Sequence, residues 1–176
     1  MGRTLAIMVT ATTYGTWLRG DRRGWVDDGE ILPPEPRLEA YDRTRMKHEP
    51  YLFPADRLLA VGQMIGDALI ERLGVSILAL HVARWHTHFV IAATDHDIAD
   101  VVKCAKDAAR YGLKPGRPIW TADYDKRFCF DVPSVRNRIA YVERHNIAMH
   151  WPARPWNFIA NFLAEPSISP RSLTGG

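Results

Sequence analysis

The stretch Val75-Ser76-Ile77-Leu78-Ala79-Leu80-His81-Val82-Ala83-Arg84-Trp85-His86-Thr87-His88-Phe89-Val90-Ile91-Ala92-Ala93 decides the fold. Two runs rich in β-formers, Val75 to Val82 and Trp85 to Ala93, flank Ala83-Arg84, which reads as a turn. The segment is therefore predicted to be an antiparallel hairpin. Side chains alternate along a strand, so His86 and His88 share one face. His81, on the preceding strand, is either their neighbour or a core residue.

Upstream, Pro54 and Asp56 open a helix to about Leu73. Leu58, Gly62, Ile65, Leu69 and Leu73 recur at helical spacing, and Gly74 ends it. Leu5 to Tyr14 is β-branched and reads as the first strand. The segment at about 18–53 carries glycines and the Pro33-Pro34-Glu35-Pro36 cluster, and is read as a long excursion with a short helix near 37–48. Downstream, Thr94 with Asp97 resembles a capping box. The helix that follows turns Ile98, Val101, Val102, Ala105 and Ala109 inward and Lys103, Lys106 and Arg110 outward. Short strands are predicted at Ile119 to Ala122 and Arg127 to Phe130. Asp131-Val132-Pro133-Ser134 opens a last helix to about Asn146, with Val135, Ile139 and Val142 as its core stripe.

The order β-α-β-β-α-β plus a helix predicts an α+β, ferredoxin-like (split βαβ) domain. It is an antiparallel sheet with helices on one face and a C-terminal helix added. One domain is expected over 1–165, with the Trp151, Pro152, Pro155 and Trp156 segment packed on it. A disordered tail is expected at 166–176.

The 176 residues suffice for one core, and a 47% hydrophobic content argues against global disorder. The net charge of +3 is compatible with a nucleic-acid partner without requiring one. Cys104 and Cys129 read as small buried hydrophobes, so a reducing, cytoplasmic setting is expected. No signal-peptide pattern and no membrane-spanning apolar run is present in the sequence.

Two imidazoles on one strand face can hold a divalent metal ion, given a third ligand and open positions for substrate. On the last helix Tyr141 lies about 100° from the core stripe. His145 follows one turn later on the same side, with Arg138 nearby. Phosphodiester cleavage by tyrosine needs a phenolate-like nucleophile and charge stabilisation on the phosphate.

His86-Thr87-His88 followed by Tyr141-Val142-Glu143-Arg144-His145-Asn146 resembles the HUH single-strand nucleases, in particular the REP-associated tyrosine transposases. The opening Thr13-Tyr14-Gly15-Thr16-Trp17-Leu18-Arg19-Gly20-Asp21 and Gly24-Trp25-Val26 are similar to one subgroup, and the likeness covers roughly residues 4–160. The resemblance implies an HUH domain that cleaves single-stranded or hairpin DNA at a palindromic repeat and transfers the strand. The intermediate is a 5′-phosphotyrosine on Tyr141. His86 and His88 bind Mg2+ or Mn2+, with His145 as third ligand and Asn146 as the alternative. The family carries Asn or Gln where His145 stands, and usually a larger apolar residue where Thr87 stands. Relatives include monomers and homodimers. Lys103, Lys106, Arg110, Arg138, Lys126 and Arg127 are the expected DNA contacts, with Arg22, Arg23, Trp17, Trp25 and Trp85 as further candidates. Two other readings stay open: a module that holds hairpin DNA or RNA without cutting it, and a metal-dependent hydrolase of a small phosphoester.

Overall fold

The computed structural model describes residues 2–28 and 30–163, so the expected tail at 166–176 lies outside the described residues. β1 (Ala6–Thr12), β4 (Ile77–Val82), β5 (His86–Ala92) and β6 (Asp125–Cys129) form one antiparallel sheet in the order β4-β5-β1-β6. With α2 (Leu58–Leu73) and α3 (Ile98–Leu113) as the crossovers, this is the split βαβ plan.

The β-branched and aliphatic residues of β1 and β5 sit in the middle of the sheet and are buried on both faces. On one face Ile7, Val9, Phe89 and Ile91 pack under Ile65 and Leu69 of α2 and Val101, Val102 and Ala105 of α3. On the other, Ala6, Met8 and Val90 pack under Val135, Ile139 and Val142 of α4 (Val132–Ala148). The two crossover helices thus share one face, as expected, while α4 covers part of the opposite face.

The inner stripes of α2, α3 and α4 are buried as their spacing requires, except that Leu73 at the last turn of α2 is only partly covered. Gly74 takes φ +61° and closes α2 as a left-handed cap. Gly62 touches the indole of Trp156: a Cβ there would lie 2.0 Å from Trp156 Cζ2. That close approach docks the segment after α4 onto α2. Trp156 is buried and donates to Leu59 O at 2.9 Å.

Several local expectations need correction. The cap of α3 is Asp97, whose side chain accepts from Ala99 N at 3.0 Å. Thr94 instead accepts from His96 N at 3.2 Å, a turn that precedes the helix. No strand forms at Ile119 to Ala122. A single bridge joins Thr13 to Trp120, and Lys106 Nζ donates to the carbonyls of Thr121, Ala122 and Asp123 at 2.6, 3.3 and 3.1 Å. The last strand runs Asp125–Cys129 rather than to Phe130. Cys129 is buried, but Cys104 is only half-buried.

The excursion at about 18–53 contains α1 (Pro36–Arg45), which buries nothing, and a small hairpin, β2 (Trp25–Asp27) with β3 (Glu30–Leu32). It is tied down at its far end, where Phe53 N donates to Arg84 O at 2.7 Å in the β4–β5 turn. Among the described residues no helix is long and apolar enough to cross a membrane.

Candidate active site

The register of the sheet lines up the site. His88 on β5 stands opposite His81 on β4 and Thr10 on β1, while His86 stands opposite Thr12. Paired residues share a face, so His81, His86 and His88 project together towards α4. From α4, His145 comes down onto them. Its ring centroid lies 5.1 Å from His81, 6.1 Å from His86 and 5.2 Å from His88. Tyr141, one turn earlier, lies 4.7 Å from His145 and 5.6 Å from His88. Tyr141 is 38% exposed, whereas His81, His86 and His88 are 2%, 7% and 7% exposed. The phenol therefore stands at the mouth of a buried imidazole cluster.

His81, His86 and His145 each offer a ring nitrogen, and these three atoms lie within 4.8 Å of one another. His88 joins the cluster through its ring, 4.6 Å from His86, with its Nδ1 2.8 Å from Thr10 Oγ1. The sequence placed His81 either beside the pair or in the core, and both hold. It is buried, and it belongs to the group whose nitrogens converge.

Burial governs the charge state of these rings. It pushes His81 down to about 4 and His86 down to about 3, with neighbouring histidines adding to the effect. His88 and the half-buried His145 are lowered by burial too. Neutral imidazoles present lone pairs, which a metal requires. His86 Nδ1 is buried with no hydrogen-bond partner, a costly arrangement unless something else satisfies it. An imidazole set with one orphaned buried nitrogen fits a divalent cation.

Asn146, the alternative ligand, is 1% exposed and engaged elsewhere. Its Oδ1 lies 2.8 Å from His81 Nδ1, and its Nδ2 donates to Leu80 O and Ala153 O, both at 2.9 Å.

The expected DNA contacts fall on different surfaces. α3 lies across the sheet from the tyrosine, so Lys103, Lys106 and Arg110 are on the far side. Lys103 and Arg110 pair with Asp107 at 2.7 and 3.2 Å, and Lys106 serves the loop carbonyls. On edge strand β6, Arg127 stands opposite Met8 and so shares the histidine face, paired with Asp125 at 2.9 Å. Lys126 stands opposite Val9 on the other face, 5.9 Å from the Phe128 ring. Arg138 is exposed on α4, one turn before Tyr141.

A cation with a weaker sequence signal lies nearer. The Arg23 guanidinium sits 4.8 Å from the Trp17 ring and 4.7 Å from that of Trp85, and is bound to Asp21 at 2.7 Å. Trp85 in turn lies 4.0 Å from His86. The excursion thus carries an oriented arginine to the rim of the cluster, and its charge helps hold His86 neutral.

Fold and site together define an α+β domain of split βαβ topology with a histidine–tyrosine site on its sheet. No family model matches the chain, and no curated protein matches it. Among solved structures it is similar to a REP-associated tyrosine transposase bound to a REP hairpin, at 12% identity and TM-score 0.47, over 90% of this chain and 78% of that one. It is also similar to a protein of Deinococcus radiodurans R1 described as a transposase, at 15% identity and TM-score 0.41, over 82% of this chain and 93% of that one. At these values the likeness is one of fold.

Proposed function

We propose that the protein is a metal-dependent endonuclease and strand transferase of single-stranded or hairpin DNA, a transposase-type enzyme working through a 5′-phosphotyrosine. The observation that carries the reading is the half-exposed Tyr141 phenol set against His145 at the mouth of the buried imidazole cluster. The motif order in the sequence supports it.

His81, His86 and His145 would hold the ion, with His88 packed against them. A divalent ion there supplies Lewis-acid polarisation of a phosphodiester oxygen. Tyr141 does the covalent work. Its phenol oxygen bonds to phosphorus, the bond from phosphorus to the 3′-oxygen breaks, and the 3′-oxygen takes up a proton as a hydroxyl. The phenol proton leaves to solvent, which reaches this side chain directly. The phosphotyrosyl ester conserves the energy of the cut bond, so a second 3′-hydroxyl can reverse the step onto another strand. Arg138, Arg127 and Arg23 lie on the side of the sheet where the strand's phosphates would pass.

The test is covalent trapping on labelled single-stranded hairpin oligonucleotides drawn from repeats flanking the protein's own gene. Mg2+, Mn2+, Co2+ and Zn2+ are assayed in turn. An ion-dependent protein–DNA band on a denaturing gel, absent from Tyr141→Phe while DNA binding persists, is expected. A band retained in Tyr141→Phe overturns the nucleophile. A gel shift with no band under any ion favours the non-cutting hairpin-binding module, a reading that His145 in place of an amide keeps open.

A further inference from the structure

The carboxamide of Asn146 has no freedom of orientation. Both Nδ2 protons are spent on the carbonyls of Leu80 and Ala153, and reversing the amide would aim its oxygen at two carbonyl oxygens. Oδ1 must therefore face His81 Nδ1 and can only accept. It follows that His81 Nδ1 carries the proton and that its Nε2 lone pair is bare. Thr10 exerts no such control on His88, because a hydroxyl donates or accepts as required. Of the two sheet histidines with an engaged Nδ1, only His81 has its tautomer dictated from outside.

We propose that Asn146 is a positioning residue that locks His81 in the Nδ1–H tautomer. His81 Nε2 thereby becomes a permanent ligand in an all-imidazole centre for a late first-row divalent ion, Zn2+ or Co2+, in preference to Mg2+. This rests on the metal site of the proposed function and deepens it. The convergent nitrogens belong to three imidazoles, and among the described residues no carboxylate joins them. Mg2+ demands oxygen ligands and gives up water reluctantly, whereas imidazole suits the later first-row ions. A ring nitrogen whose partner N–H is held by a buried acceptor is also a better-oriented and more basic ligand. Asn146 thus sits one residue beyond the position where the family carries its ligand amide, and acts on the ion through another side chain.

The experiment uses the full chain stripped of metal, without DNA. Co2+ is titrated by its visible absorption, Zn2+ by competition with a chromophoric chelator, and Mg2+ by calorimetry. Co2+ and Zn2+ are expected to bind one per chain, at least about 100-fold more tightly than Mg2+. Asn146→Ala should weaken Zn2+ by about 10- to 100-fold, and His81→Gln should change the Co2+ spectrum. Since Asn146→Ala removes buried bonds and risks unfolding, the His81 tautomer is also read in the metal-free wild type by long-range proton–nitrogen NMR. A protonated Nδ1 with bare Nε2 is expected, and the opposite tautomer overturns the proposal. Mg2+ binding as tight as Zn2+, or an unchanged Co2+ spectrum in His81→Gln, overturns it as well. If no ion binds the wild type, both this inference and the metal part of the proposed function fall. If Zn2+ binds as described but covalent trapping fails, the inference stands and the cleavage reading falls.

Discussion

His145 is the residue on which the chemistry of the site turns. An imidazole stands here where the resemblance read from the sequence implies an amide, and a further imidazole, His81, faces it at 5.1 Å between ring centroids. A harder donor at this position should move the preference towards ions that favour oxygen ligands. In His145→Gln, the Mg2+ and Mn2+ affinities should rise relative to Zn2+ by about tenfold or more. An unchanged affinity ratio in parallel titrations would show that His145 is no ligand. Strand alternation places His86 and His88 on one face and helical spacing places Tyr141 and His145 on one flank, but only the resemblance joined the two pairs, whose His88 and His145 rings lie 5.2 Å apart. The part played by Asn146 was not legible. Nothing in a sequence says that two carbonyls 66 and 7 residues away will consume both protons of an amide.

At the scale of elements, the clearest consequence lies in the contact between α2 and the segment after α4. Gly62 reads from sequence as one member of a buried stripe, and periodicity cannot say what covers it. Trp156 does, so closely that no side chain fits. Gly62→Ala should therefore cost about 1–3 kcal/mol despite the better helix propensity of alanine, measured by urea denaturation. A stabilised variant would contradict the packing. The helices were legible because their stripes and the Asp131 cap are local signals, the latter accepting from Ser134 N at 2.7 Å. Three-residue strands such as β2 and β3 carry too little alternation to be read. At Ile119 to Ala122 only a single bridge to Thr13 forms, and local β-propensity cannot tell such a bridge from a strand.

For the molecule as a whole, the sheet separates two tasks. One face is an apolar core under α2 and α3. The other joins an apolar half under α4 to a polar end holding four histidines. Keeping those rings neutral has a cost in acid. In the metal-free protein His81 and His86 titrate near 4 and 3, while in the unfolded chain they titrate near 6.5. Above pH 6.5 neither state binds their protons, and no stability is at stake. As pH falls from 6.5 towards 4, only the unfolded chain is protonated, so stability drops by up to about 1.4 kcal/mol per pH unit for each such ring. Urea midpoints in the presence of chelator should therefore be lower at pH 5 than at pH 7. Equal midpoints would mean that the rings are solvated in the folded protein.

The nucleophile is the central claim, and the most direct measurement is to locate the bond. The wild-type protein is reacted with hairpin DNA and a divalent ion, the DNA is trimmed with nuclease, and the protein is digested and sequenced by mass spectrometry. The account predicts nucleotide mass on Tyr141 alone. Nucleotide on any other residue, or cut DNA with a free 5′-phosphate and no modified peptide, would contradict it.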